Sequence, residues 1–126
     1  MKGKKILIVE DEGIPALELK QQLEGMGCKV VGTATTGISA VQTASETRPD
    51  AVLMDIKLKG DMDGIEAARM IQENMDIPVI YLTAYSDEGT LERARQTRLY
   101  WILQKPYFFD AIRSILEEAM ERPTEH

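Results

Sequence analysis

Ala51-Val52-Leu53-Met54-Asp55 is the stretch on which the reading of this chain turns. Four apolar residues in a row, with no polar alternation, read as a strand covered on both faces. A carboxylate then closes the run. The same form recurs to either side. Ile6-Leu7-Ile8-Val9 ends in Glu10 and Asp11, Val79-Ile80-Tyr81-Leu82 ends in Thr83, and Trp101-Ile102-Leu103-Gln104 ends in Lys105 followed by Pro106. In an open parallel sheet, ligands bind in the crevice beyond the carboxyl ends of the strands. Three carboxylates, one hydroxyl and one ammonium therefore gather at one rim. That set suits a hard cation together with a phosphoryl group.

Working outward, apolar runs at 6–9, 30–34, 51–54, 79–82 and 99–103 alternate with amphipathic stretches. Leu17, Leu23 and Met26 mark the apolar face of a first helix, with Pro15 tolerable in its opening turn. Ile38, Val41 and Ala44 mark a second helix, and Ile65, Ala68 and Ile71 a third. Leu91 and Ala94 mark a weaker fourth. Phe108, Ile112, Ile115, Leu116 and Ala119 mark a fifth, with Pro123 beyond its end. Glycines 27, 32, 37 and 64 punctuate the junctions, and Pro78 opens its strand. The pattern predicts an α/β fold of (βα)5 type, doubly wound, with right-handed crossovers. Two strand orders compete, a sequential winding and the flavodoxin-like five-stranded parallel sheet 2-1-3-4-5. The chemistry favours the second, because it sets the first and third strands side by side at the switch point. Glu10, Asp11 and Asp55 then face one another.

Size and composition bound the function. The 126 residues fit a single domain, residues 1–126, with a core of about 4–121, and show no linker, repeat or low-complexity tract. A net charge of −6 argues against a nucleic-acid-binding domain, which would show a basic patch. The single cysteine, Cys28, leaves no disulfide framework and no thiolate zinc site, and reads as a buried thiol. No run is long enough for a membrane span and no segment resembles a signal peptide, so a cytoplasmic location is expected. The one histidine, His126, is the last residue, which argues against histidine-based catalysis within the chain. Glu125-His126 reads equally as a natural terminus or the start of a tag.

Each candidate also has a plainer reading. Glu10-Asp11-Glu12 reads as an N-cap and acidic first turn, where the helix dipole welcomes carboxylates. That accounts for Glu12 but not for Asp55, a charge closing a buried strand. Asp55 alone could be strand-end turn chemistry, Thr83 a cap for the helix beyond Ala84-Tyr85-Ser86, and Lys105 a solvated strand exit. Their joint placement on strand ends is what carries weight. Three crowded carboxylates raise one another's pKa, a conflict that Mg²⁺ relieves. An Asp carboxylate is also able to accept a phosphoryl group as an acyl phosphate.

The chain at this point resembles a response-regulator receiver domain, the phosphoacceptor module of two-component signalling. The resemblance rests on residues 6–12, Val52-Leu53-Met54-Asp55-Ile56, Met62-Asp63-Gly64, Pro78 through Ala84, and Gln104-Lys105-Pro106, all in order. It implies that Asp55 accepts a phosphoryl group from the phosphohistidine of a partner histidine kinase or phosphotransfer protein. Asp11 and Asp55 would supply oxygens to Mg²⁺, or to another divalent cation such as Mn²⁺. Glu10 would assist, and the backbone carbonyl of Lys57 would complete the protein ligands. Thr83 would hydrogen-bond the phosphoryl group, Lys105 would pair with it, and the Lys105–Pro106 bond would be cis. Such a domain is a signalling switch and not an enzyme beyond its own phosphoryl transfer and dephosphorylation.

The chain departs from that family in places. Ile102 stands three residues before Lys105, where the family carries a Tyr or Phe that reports activation. Thr97-Arg98-Leu99-Tyr100-Trp101 replace small residues, and the segment 56–63 is one residue longer than usual and lacks proline. A phosphorelay or hybrid-kinase receiver has the same local chemistry and stays open. A vestigial interaction module is disfavoured by the intact set. A phosphatase is disfavoured because Lys57, not Asp, follows two residues after Asp55. Five of the seven aromatic residues fall between Tyr100 and Phe109. They point to a contact surface on the side of the fourth helix, fifth strand and fifth helix, for an output partner or a homodimer, with Phe108 read as packing under the fifth helix.

Overall fold

The computed structural model describes residues 1–84 and 87–121. Its elements alternate throughout: β1 (Lys5–Val9), α1 (Gly13–Gly25), β2 (Lys29–Ala34), α2 (Gly37–Thr47), β3 (Ala51–Asp55), α3 (Gly64–Gln72), β4 (Val79–Thr83), α4 (Glu88–Arg95), β5 (Tyr100–Gln104) and α5 (Phe109–Met120). The strands form one sheet in the order β2-β1-β3-β4-β5, with every pairing parallel. This is the flavodoxin-like order that the carboxylates favoured. Tyr85, Ser86, Pro123 and the Glu125-His126 pair lie outside the described residues.

Successive strand residues point to opposite faces, and each face has its own core. Leu7, Val9, Val52, Met54, Val79 and Tyr81 pack with Ala40 and Ala44 of α2, Ile65, Ala68 and Ile71 of α3, and Ala94 of α4. Ile6, Ile8, Leu53, Ile80 and Leu82 pack with Leu19 and Leu23 of α1 and Ile112, Leu116 and Ala119 of α5. The central strands are buried on both sides, which is why their sequences read as unbroken apolar runs.

Three apolar assignments change. In α1 the buried residues are Ala16, Leu19 and Leu23, while Leu17 is 54% exposed. In α2 they are Gly37, Ala40 and Ala44, while Ile38 is 62% exposed. Both misplaced residues stand six positions before a buried one, about 120° round a helix at 100° per residue. Phe108 occupies the N-cap position ahead of α5 and is 87% exposed, so it does not pack under that helix.

Helix starts follow from local chemistry. Thr36 accepts the N–H of Ser39 at the head of α2. Asp63 and Glu66 form a reciprocal capping box at the head of α3. Asp87, not Thr83, caps α4 by accepting the N–H of Thr90. The acidic first turn expected for α1 is absent: the helix begins at Gly13, and Glu12 stands at its N-cap without a side-chain bond.

Candidate functional site at the carboxyl edge of the sheet

β1 and β3 are neighbours, so the residues that follow or close them meet. Val9 pairs with Met54, which brings Glu10 and Asp11 opposite Asp55. One carboxylate oxygen from each of Glu10, Asp11 and Asp55 lies within 4.8 Å of the others. On the far side, β4 pairs with β5 and the N–H of Lys105 donates to the carbonyl of Thr83 at 2.7 Å. This contact fixes the exit of β5 beside the end of β4. The Lys105 ammonium then reaches back to Asp55 Oδ2 at 3.3 Å and Glu10 Oε1 at 3.7 Å. The Lys105–Pro106 bond is cis.

Burial sets the electrostatics. Glu10 is 3% exposed, and burial holds its carboxyl above the usual carboxylate range, with the Asp55 charge adding to the effect. The N–H of Glu12, donating to Glu10 Oε2 at 3.1 Å, and the Lys105 charge pull the other way. For Lys105, burial favours the neutral amine, yet the Asp55 and Glu10 carboxylates outweigh it and hold the pKa up. The ammonium is the charge that keeps the two buried carboxylates tolerable. Asp55 is itself 8% exposed, and its Oδ1 takes the N–H of Lys57 at 3.3 Å.

These side chains line an open cleft of about 600 Å³. Asp11, Asp55, Lys57, Thr83 and Lys105, all expected from the sequence, border it. Glu10 lies beneath them, buried, and Thr83 is buried too at 4% exposed. Asp63, Asp87, Thr90 and Arg93 border the same cleft; Asp63 entered the sequence analysis only within Met62-Asp63-Gly64, and the other three did not enter it. Asp63 carried a legible signal, the Asp-x-x-Glu spacing of a capping box. Arg93 carried none: its place depends on α4 packing beside α3, where it pairs with Asp63 at 2.9 Å.

Gly64 also belongs to the site. A β-carbon there would stand 2.2 Å from the backbone oxygen of Asp55 and 2.9 Å from Met54 Cγ. Only glycine lets the first turn of α3 lie against the end of β3, where its N–H donates to the carbonyl of Ile56 at 2.8 Å.

A donor set of three clustered carboxylates beside the Lys105 ammonium fits a hard divalent cation. The crowding supplies the physical reason: the negative charges exceed what Lys105 alone offsets.

Comparison with known proteins agrees with this arrangement. Residues 6–117 match the family model of the response regulator receiver domain. The transcriptional regulatory protein PdtaR of Mycobacterium tuberculosis is 35% identical over 119 residues, a match covering 94% of this chain and 58% of PdtaR. The chain thus spans little more than half of that relative. The polar-differentiation response regulator DivK of Brucella anthropi is 32% identical over 123 residues, covering 92% of this chain and 98% of DivK. The receiver domain of the sensor histidine kinase PA1611 from Pseudomonas aeruginosa superposes with a TM-score of 0.84 at 31% identity, covering 95% of this chain and 99% of that one. That structure holds a magnesium ion in its active-site cleft.

Proposed function

The chain belongs to the response-regulator receiver family of phosphorylation-controlled signalling modules, and we propose that Asp55 is its phosphoacceptor. We take residues 1–126 as one receiver unit with a core of about 4–121. The observation that carries the reading is the convergence of Asp55 with Asp11 and Lys105 in one open cleft, with the buried Glu10 carboxylate clustered against them.

In the proposed reaction an Asp55 carboxylate oxygen attacks the phosphorus of a phosphohistidine. A P–O bond forms as the P–N bond breaks, and the donor imidazole leaves with the electron pair. Lys105 offsets charge on the carboxylate and on the transferred group. Asp11 and Asp55 are the proposed carboxylate ligands of Mg²⁺ or Mn²⁺, with Glu10 assisting and the Lys57 carbonyl completing the protein set. When bound, the cation supplies positive charge against the phosphoryl oxygens and the clustered carboxylates. Thr83, at the end of β4, is the proposed hydrogen-bond donor to the phosphoryl group, and through it the conformational equilibrium shifts. Beyond this transfer and the hydrolysis of the Asp55 acyl phosphate, which releases inorganic phosphate, we assign no enzymatic activity.

The proposed donor is a histidine kinase or a phosphotransfer protein. A relay, in which Asp55 passes the group to a second histidine, uses the same site and is distinguished by a chase onto a phosphotransfer domain. An output partner or a second copy is assigned to the α4–β5–α5 side, where Tyr100, Trp101 and Tyr107 remain half-buried. No described helix is long and apolar enough to cross a membrane, and a cytoplasmic location fits the phosphodonor proposed.

The test is intact-mass analysis after incubation with a small phosphodonor, with and without Mg²⁺. Labelling that needs the cation and vanishes in Asp55→Asn supports the assignment. Equal labelling of Asp55→Asn overturns it.

A further inference from the structure

Among the described residues, α4 is the helix with the least hold on the core. Of its eight residues only Ala94 is buried, against six in α3. Two contacts supplement that hold, both in the last turn of the helix, one buried and one facing the cleft. Near its C-terminus a buried chain of hydrogen bonds begins at Tyr81, in the middle of β4. The Tyr81 hydroxyl donates to Thr97 Oγ1 at 3.0 Å, and the Thr97 hydroxyl donates to the carbonyl of Ala94 at 2.6 Å. Tyr81 is fully buried and Thr97 is 5% exposed, so water cannot substitute for either bond. Burial also pushes the Tyr81 phenol up to about 12, which keeps it a donor. At the cleft, Arg93 pairs with Asp63, the cap of α3, but the two side chains are 45% and 31% exposed. An exposed pair of this kind contributes little and exchanges readily with water.

We propose that the Tyr81–Thr97 bond is the fixed hinge of α4, and that the Arg93–Asp63 pair is its releasable latch at the phosphoryl cleft. Tyr81 is also two residues from Thr83 and shares its face of the strand. The end of β4 that borders the cleft and the point that holds α4 are therefore two steps of one rigid strand. Ile102, paired in register with Tyr81 on β5, packs into the same core and offers no polar group to α4. The hinge is thereby assigned to β4. That phosphorylation moves α4 about this hinge rests on the reading of Asp55 above; the hinge itself does not.

Amide hydrogen exchange on the intact chain tests both parts. In unphosphorylated Tyr81→Phe and in Thr97→Val, exchange within α4 is expected to rise about fivefold or more, with the protection of α2 and α5 changed by less than about twofold. The double variant should add little to either single one, because both remove the same bond. Unchanged exchange in α4, or equal acceleration of every helix, overturns the hinge. In wild type, phosphorylation should raise exchange in α4 from Glu88 onward; a labelled protein whose α4 stays as protected as before overturns the releasable latch. A wild type that takes no label at Asp55 instead sets aside the phosphoacceptor reading, and the unphosphorylated variants still decide the hinge.

Discussion

Lys105 is the residue on which the site's charge balance depends. It stands within 3.3 Å of Asp55 and 3.7 Å of Glu10, and both carboxylates are buried. Lys105→Ala is expected to leave the sheet intact, since the side chain is outside both cores. Its phosphorylation rate with a small donor should fall about tenfold or more, the equivalent of roughly 1.4 kcal/mol of lost charge stabilisation. Stopped-flow or timed intact-mass measurements check this, and a wild-type rate would remove Lys105 from the mechanism. Gly64 fails differently. A methyl group there meets the Asp55 carbonyl oxygen at 2.2 Å, and the backbone must move to admit it. Gly64→Ala should cost about 2–3 kcal/mol in urea unfolding, on the scale of overpacking. Slower labelling of Asp55 should accompany the loss. The sequence marked Gly64 as a junction, but only the packed structure shows which atom requires it.

Among the elements, α3 shows how one side chain ties three segments. The buried amide of Gln72 donates to the carbonyls of Ile77 and Leu99 at 2.9 and 2.7 Å, and accepts the N–H of Arg98 at 3.2 Å. The entries to β4 and β5 are thus held to the end of α3. Gln72→Met keeps the volume but removes the Gln72 partner of the Ile77 carbonyl and the Arg98 N–H, while the Leu99 carbonyl keeps the N–H of Val79, and should lower stability by about 2–3 kcal/mol. Equilibrium urea unfolding measures it. The outward faces carry a second expectation. Ile14 on α1 follows Asp11 by three residues and Phe108 follows Lys105 by three, and they are 74% and 87% exposed. Large apolar side chains exposed on elements that start at the cleft suit docking of a protein phosphodonor. Ile14→Ala with Phe108→Ala should slow transfer from a protein donor about tenfold, the cost of a modest hot spot. Transfer from a small phosphodonor should be unaffected. Equal slowing with both donors would mean the site itself was damaged.

For the whole molecule, the proposed cation site and global stability are linked. A ligand that binds only the folded chain stabilises it by mass action, by about 1.4 kcal/mol at roughly ten times its dissociation constant. Thermal melts across a Mg²⁺ titration should therefore rise by several degrees, about 4–6 °C on that scale. Asp11→Asn should lose most of this rise. An unaltered rise in that variant would place the cation elsewhere.

Much of this was legible in the sequence, because it depends on neighbours along the chain. Apolar runs of four to six residues gave all five strands, and the charge or hydroxyl at the end of each functional run marked Glu10, Asp11, Asp55, Thr83 and Lys105. Strand order followed from one chemical demand, that β1 and β3 adjoin. Helix faces were less legible. Leu17 and Ile38 are apolar and near the right period, and only the packing angle of each helix against the sheet turns them outward. Phe108 looked like core for the same reason, since its exposure is fixed by where α5 begins. What tertiary structure alone decided are the contacts between segments distant in sequence. Arg93 reaches Asp63 across 30 residues, Tyr81 reaches Thr97 across 16, and Gln72 reaches Leu99 across 27. Such pairs leave no local pattern, because their geometry exists only once the sheet has brought its strands together.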